Sequence, residues 1–364
     1  MGADKLKKRV FVVKGLLVGL FVLLTVLLMY WGSAGAETGP QVAGKPASFW
    51  LRRLPFEADQ GFVGFDHPLE QAGPEIIPVL IEAIESGKDR HGMYRKVLRF
   101  VPPPLAKSLP EPDAPPHRMR TYSAFRLGQF GAAASNAVPS LERYYIDQTN
   151  GFGVDRVIQA IGSIGPASES ALPTVIQAFG NPQIPSGWAT TALLQIGRIP
   201  PEALPHLELD LQKQGFIAGP AAVALWIAKR DSNSIERVHL ALESANVNFQ
   251  AYTAVTLRFD KQLPSETKSK LRMLVESGQP SVRHGAAVAL AYSGERSDKI
   301  IAALIEGLRG GGFATFCALA LAEIGPSAKE AMPELKASFD TNSPALCRAF
   351  TKAMEAFSGV SRQQ

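Results

Sequence analysis

The chain has 364 residues, 46% of them hydrophobic and 20% charged, which excludes disorder throughout and provides for a substantial core. Of its formal net charge of +5, the first fourteen residues carry +4 (Lys5, Lys7, Lys8, Arg9 and Lys14 against Asp4), so the remainder gives no reason to expect a nucleic-acid partner. Two cysteines, Cys317 and Cys347, are too few for a disulfide framework and form no C-x-x-C pair.

Residues 1–9 read as a short cytoplasmic basic segment. "GLLVGLFVLLTVLLMYW" follows from Gly15 to Trp31 without a charge; counted from Val10, the run is long enough for a bilayer core. This predicts a transmembrane signal anchor over 10–31, with Lys14 reaching headgroups and Tyr30-Trp31 at the interface. The basic cluster then predicts a single-pass protein of the bacterial cytoplasmic membrane, its N-terminus inside and its repeat domain periplasmic or extracytoplasmic. "SAGAET" offers the alternative of a signal peptide cleaved after residue 36 and a secreted body, but the apolar run exceeds a usual signal core. Gly15 and Gly19 form a GxxxG pair through which two anchors would approach as a homo-oligomer; small residues are nevertheless common in such helices.

Residues 32–45 read as a linker and 46–65 as an N-terminal capping helix with its loop. From residue 66 to 359 one phrase returns: "QFGAAASNAVP", "AIGSIGPASESALP", "QIGRIPPEALP", "EIGPSAKEAMP". Its glycines are Gly131, Gly165, Gly197 and Gly325, and proline follows each eight residues later at Pro139, Pro173, Pro205 and Pro333. The first steps are 34 and 32 residues, and the 128 residues from Gly197 to Gly325 hold four more units of that size. A fixed period of this length predicts a solenoid. Val157, Ile158, Ile161 and Ile164 recur at helical spacing before the corner, and Val175, Ile176 and Phe179 after it, so each unit is a pair of amphipathic helices. Gly165 suits a left-handed position past a helix end, Pro166 stops continuation, and Pro173 suits the first turn of the next helix. Stacking neighbours closes the core, and alanine-rich stretches such as "RHGAAVALAYSG" permit close helix approach.

Units of the form A-x-x-x-I-G-P-x-A-x-x-A-x-P-x-L resemble HEAT repeats, and "GKPASFWLRRL" followed by "HPLEQAGPEIIPVLIEAIESG" is similar to the start of membrane-anchored or exported bacterial HEAT-repeat proteins. The resemblance implies an all-α fold, an α/α superhelical solenoid of helix pairs preceded by one transmembrane helix. It also implies a protein or peptide partner rather than a reaction. The middle units lack the I-G-P corner, which predicts a change of curvature around Trp226 to Phe259. The proline-dense segment 101–117 reads as an extended connector between units, and 360–364 as a tail.

No compact ligand spacing joins the histidines, and no catalytic motif is present; "GLRGGGF" follows no strand and reads as a linker rather than a phosphate cradle. The expectation is a non-enzymatic scaffold without cofactor or metal. The alternative is a HEAT-like solenoid enzyme, similar to DNA alkylation-repair glycosylases or phycobilin lyases. Second helices of HEAT units usually line the concave side, which makes Glu142, Arg143, Gln177, Glu208 and Lys336 the candidate partner-binding positions. They form no continuous Lys/Arg stripe, so no nucleic acid is expected. Glu208 with Asp210 reads as a solvated face, and Tyr144, Tyr145, Trp188 and Trp226 are candidate aromatic anchors.

Overall fold

The computed structural model describes positions 24, 25, 28 and 30 and residues 37–358, apart from 56–57, 59–62, 65, 87–88, 90, 148–152, 214–215, 310–311 and 339–343. The predicted anchor, the Gly15–Gly19 pair and the cleavage site lie outside the described residues except at those four positions. Among the described residues no helix is long and apolar enough to cross a membrane. That finding corrects the expected single-pass location.

A two-residue hairpin, β1 (Gln41–Val42) against β2 (Lys45–Pro46), opens the described body. Ala43 and Gly44 both take positive φ, as a tight two-residue hairpin turn requires. The Trp50 indole N–H donates to the Val42 carbonyl at 2.8 Å, fixing the hairpin to α1 (Ala47–Arg52).

Every described element after it is helical. The early elements are α2 (Pro68–Gln71), α3 (Ile77–Ser86), α4 (Gly92–Leu98) and α5 (Pro103–Ala106). First helices of successive units are α6 (Pro116–Gln129), α8 (Val154–Ile164), α10 (Ser186–Ile196), α12 (Ala218–Lys229), α14 (Val247–Thr256), α16 (Pro280–Tyr292), α18 (Ala314–Ile324) and α20 (Pro344–Ser358). Their second-helix partners are α7 (Val138–Asp147), α9 (Leu172–Ala178), α11 (Leu204–Leu211), α13 (Ser232–Leu242), α15 (Ser265–Ser277), α17 (Asp298–Leu308) and α19 (Met332–Ala337). Each even-numbered helix from α6 to α20 packs on the next, so the first helices form one continuous layer. The periodic apolar residues supply the core: Val157, Ile158, Ile161 and Val175 are completely buried.

The corner phrase folds as predicted in kind and differs in detail. A 3-10 turn of seven residues joins the helices at 131–137, 165–171 and 325–331, and a shorter one occupies 201–203. Buried Ser168 ties its turn together, its hydroxyl lying 2.6 Å from the Ile161 carbonyl and 2.7 Å from that of Gly165. Gly197 is left-handed at φ 80°, ψ 14°, whereas Gly165 and Gly325 combine positive φ with ψ of −146° and −143°. The following proline explains the difference, because its ring disfavours a helical ψ at the preceding residue. Pro139, Pro173, Pro205 and Pro333 each stand second in their helix, where no backbone N–H is needed.

Small residues set the spacing of the first-helix layer. A Cβ added at Gly128 would lie 2.8 Å from the Ala160 Cα, and one at Gly162 would lie 2.7 Å from the Ala192 Cα. Gly162→Ala should therefore destabilise the protein by about 1–2 kcal/mol in urea unfolding, the overpacking cost exceeding the better helix propensity of alanine. An unchanged or raised midpoint would show that α8 and α10 shift apart freely.

The segment 101–117 contains α5, and its remainder is held against the first unit rather than loose. The Tyr94 hydroxyl donates to the Pro110 carbonyl at 2.7 Å, Arg95 Nη1 to that of Asp113 at 2.6 Å, and the Ala114 amide to that of Arg52 at 2.5 Å.

The core is divided. One cluster runs from Val42 to Ala203 and another from Ala222 to Phe357, with a small group of Leu194, Leu207, Ala221, Ala224 and Leu225 between them. The division falls at α10–α12. The segment that follows α12 holds a buried ionic lock: the Asp260 carboxylate accepts from both terminal nitrogens of Arg230 at 2.9 Å each, from the Trp226 indole at 2.7 Å and from the Gln262 amide at 2.9 Å.

Candidate functional site

A cavity of about 360 Å³ opens on the first-helix layer. Its walls come from α10 (Trp188), the entrance to α12 (Phe216), α14 and the turn after it (Tyr252, Arg258, Phe259) and α18 (Phe316). Helices up to four units apart along a stack meet around one space only where their layer curves inward. Further along the chain, Arg348 on α20 pairs with Glu70 on α2, joining the last unit to the first. The first helices therefore line the concave side, and the expectation that second helices do so is corrected.

The lining is aromatic and half open. Trp188, Phe216 and Tyr252 are 40%, 55% and 37% exposed, high values for large apolar side chains within one contiguous patch. Phe216 meets Tyr252 at 5.8 Å between ring centroids, and buried Phe313 behind the wall links Tyr252, at 5.6 Å, to Phe316, at 6.0 Å. The hydroxyls of Thr191 and Thr256 are turned back on their own helices, donating to the Gly187 and Tyr252 carbonyls.

Among the described residues Arg258 is the one charged residue of the lining. Its guanidinium lies 4.2 Å from the Phe259 ring centroid and 4.6 Å from that of Phe316, and Nη1 donates to the Val255 carbonyl at 2.8 Å. Among the described residues no carboxylate pairs with it. Burial pulls its pKa down to about 10, with the Tyr292 hydroxyl working the other way, and it remains a cation at neutral pH. Burial likewise raises the Tyr292 hydroxyl, against the influence of Arg258.

The second-helix candidates lie elsewhere and are not brought together at this cavity. Glu142 accepts from Thr174 Oγ1 at 3.0 Å, Arg143 reaches Glu85 at 3.4 Å, and Glu208 bridges Lys229 at 2.7 Å and Arg237 at 2.6 Å. These contacts tie neighbouring units to one another. Gln177 and Lys336 are exposed on α9 and α19. Asp210 is not on a solvated face: it is buried, accepting from Ser186 Oγ at 2.8 Å and from Lys213 Nζ at 2.6 Å. Tyr144, Tyr145 and Trp226 are buried, leaving Trp188 as the exposed member of that aromatic set. Phe216, Tyr252 and Arg258 carry no sequence motif, and only their shared curvature assembles them.

Both cysteines are buried, and the Cys317 thiol is pushed up to about 12 by burial. Iodoacetamide at pH 8 should leave Cys317 unmodified in the folded protein and alkylate it only after denaturation, as read by peptide mass spectrometry. Rapid native labelling would contradict its burial.

The chain matches no family model, and no curated protein matches it. Among solved structures it is similar to human deoxyhypusine hydroxylase in complex with glycerol, at 16% identity over 79% of this chain and 97% of that one, with a TM-score of 0.38. An engineered protein is similar at 18% identity over 78% and 84% of the two chains, with a TM-score of 0.33. Superpositions this loose say nothing of activity. What fold and site define is a class: an all-helical stack of helix pairs with an aromatic cavity on its concave side.

Proposed function

We propose that the chain is a non-enzymatic interaction module, a HEAT-like solenoid whose first-helix layer holds a peptide segment of a partner protein. The observation that carries this reading is the patch formed by Trp188, Phe216 and Tyr252, large rings left partly open to solvent around a cavity. Aromatic side chains in a concave, partly desolvated setting are the residues that most often dominate protein interfaces, since each contributes large contact area at low entropic cost. The period of the corner phrase supports the HEAT-like assignment, because such arrays build extended concave surfaces.

Selection from a random peptide library displayed on phage tests the reading. The full chain should enrich related sequences, and Trp188→Ala, at a partly exposed position, should lose them while unfolding at the same temperature. A library that enriches nothing, or peptides that bind the variant equally well, would overturn it.

A further inference from the structure

Of the five arginines between residues 218 and 292, Arg258 stands apart. The other four are matched: Arg230 by Asp260, Arg237 by Glu208, Arg272 by Glu295, Arg283 by Glu306. Arg258 has two phenylalanine rings and one backbone carbonyl, although a guanidinium carries five N–H donors. A half-buried cation without its anion is costly, and a planar guanidinium fits a carboxylate through two parallel hydrogen bonds.

The other donors point to the same complement. The Trp188 indole N–H and the Tyr252 hydroxyl line the cavity and have no hydrogen-bond partner among the described residues. A ligand for this space must therefore present an apolar body to the rings and an anionic acceptor to Arg258, the two close together. The volume of about 360 Å³ stands at the lower end of ligand pockets, which suits one or two residues rather than a chain crossing from side to side.

We infer that the cavity holds the C-terminal residue of a partner polypeptide, its apolar side chain among Trp188, Tyr252 and Phe316 and its free α-carboxylate on Arg258. A chain end is the part of a polypeptide that carries an apolar side chain and a carboxylate on one Cα. An internal aspartate or glutamate places its charge on the side chain that the rings would otherwise hold. The inference rests on the interaction-module reading and narrows it to a chemical class of partner.

The test uses N-acetylated hexapeptides ending in phenylalanine, as the free acid and as the C-terminal amide, titrated into the full chain while the Trp188 indole resonance is followed by NMR. The acid should bind about thirtyfold or more tightly than the amide, the range expected when one partner of a buried charge pair is removed. Ending the peptide in glycine should abolish binding. Arg258→Met should erase the difference between acid and amide, and the wild-type comparison of the two peptides stands even if that variant folds poorly. Equal affinity of acid and amide for the wild type would overturn the inference while leaving the module reading intact. Absence of binding by every peptide, here and in the phage selection, would overturn both. If N-acetylphenylalanine binds as tightly as the hexapeptide, the occupant is a small free acid and the chain-end assignment is wrong.

Discussion

Replacing Asp260 with alanine should cost about 3–5 kcal/mol of unfolding free energy, among the largest losses any single substitution in this chain produces. The carboxylate has no exposed surface and is the common acceptor for Arg230, the Trp226 indole and the Gln262 amide. Its removal strands a buried indole N–H. It also removes the support for Arg230, whose φ of 52° is an unfavourable backbone conformation for a residue with a side chain. Arg230 itself is 39% exposed and regains water, which holds the loss toward the lower part of that range. Asp260→Asn keeps an acceptor for Trp226 and loses the bidentate charge pair, so its loss should be smaller. Urea unfolding followed by tryptophan fluorescence measures both; a loss below about 1 kcal/mol for the alanine variant would show that water replaces the lock at little cost.

The same group gives a pH dependence of definite sign. Burial raises the Asp260 pKa, but bonds from Arg230, the Gln262 amide and Trp226 outweigh it, leaving the group below its ordinary value of 3.8. A carboxyl depressed on folding stabilises the protein fully above its unfolded pKa, and the contribution falls away as pH drops through the folded one. The gap between wild type and Asp260→Asn should thus be constant at neutral pH and shrink only below about 3.8. A gap that changes between pH 5 and 8 would assign the effect to another group.

That lock also shows where sequence reasoning stops. The corners at Gly131, Gly165, Gly197 and Gly325 were legible because positive φ and a proline eight residues later leave a chemical signature. The middle unit ends its first helix with Arg230 in the conformation elsewhere given to glycine, made tolerable by a carboxylate 30 residues away. No local pattern announces a compensation of that kind. The choice of concave face failed for a related reason: periodicity identifies which side of each helix is apolar, whereas curvature depends on how closely successive layers approach. Gly128 and Gly162 allow the first-helix layer to close tightly, and that contact is visible only in three dimensions. The cavity inherits the same difficulty, since Trp188 and Phe316 are 128 residues apart and meet only because the layer bends.

Arg348→Met should be the second large loss, about 3 kcal/mol, and it should change shape as well as stability. Glu70 on α2 has no exposed surface; one oxygen accepts from the Tyr122 hydroxyl at 3.1 Å and the other from Arg348 on α20. Arg126 is committed to the main chain of the same turn, donating to the carbonyls of Leu69, Glu70 and Ala72. Without Arg348 the carboxylate is left buried beside a neutral phenol, whose own ionisation is pushed well above its ordinary value by burial and by that carboxylate. Removing the opposing charge as well relieves this: Glu70→Gln combined with Arg348→Met should cost less than the sum of the two single changes, a coupling of about 1–3 kcal/mol. The pair joins units 278 residues apart in sequence, so its loss should also let the first and last helices separate. Small-angle X-ray scattering of Arg348→Met below its unfolding transition should give a larger radius of gyration than the wild type. Additive single and double variants with identical scattering would mean that helix packing alone closes the stack and that the ionic contact merely follows from it.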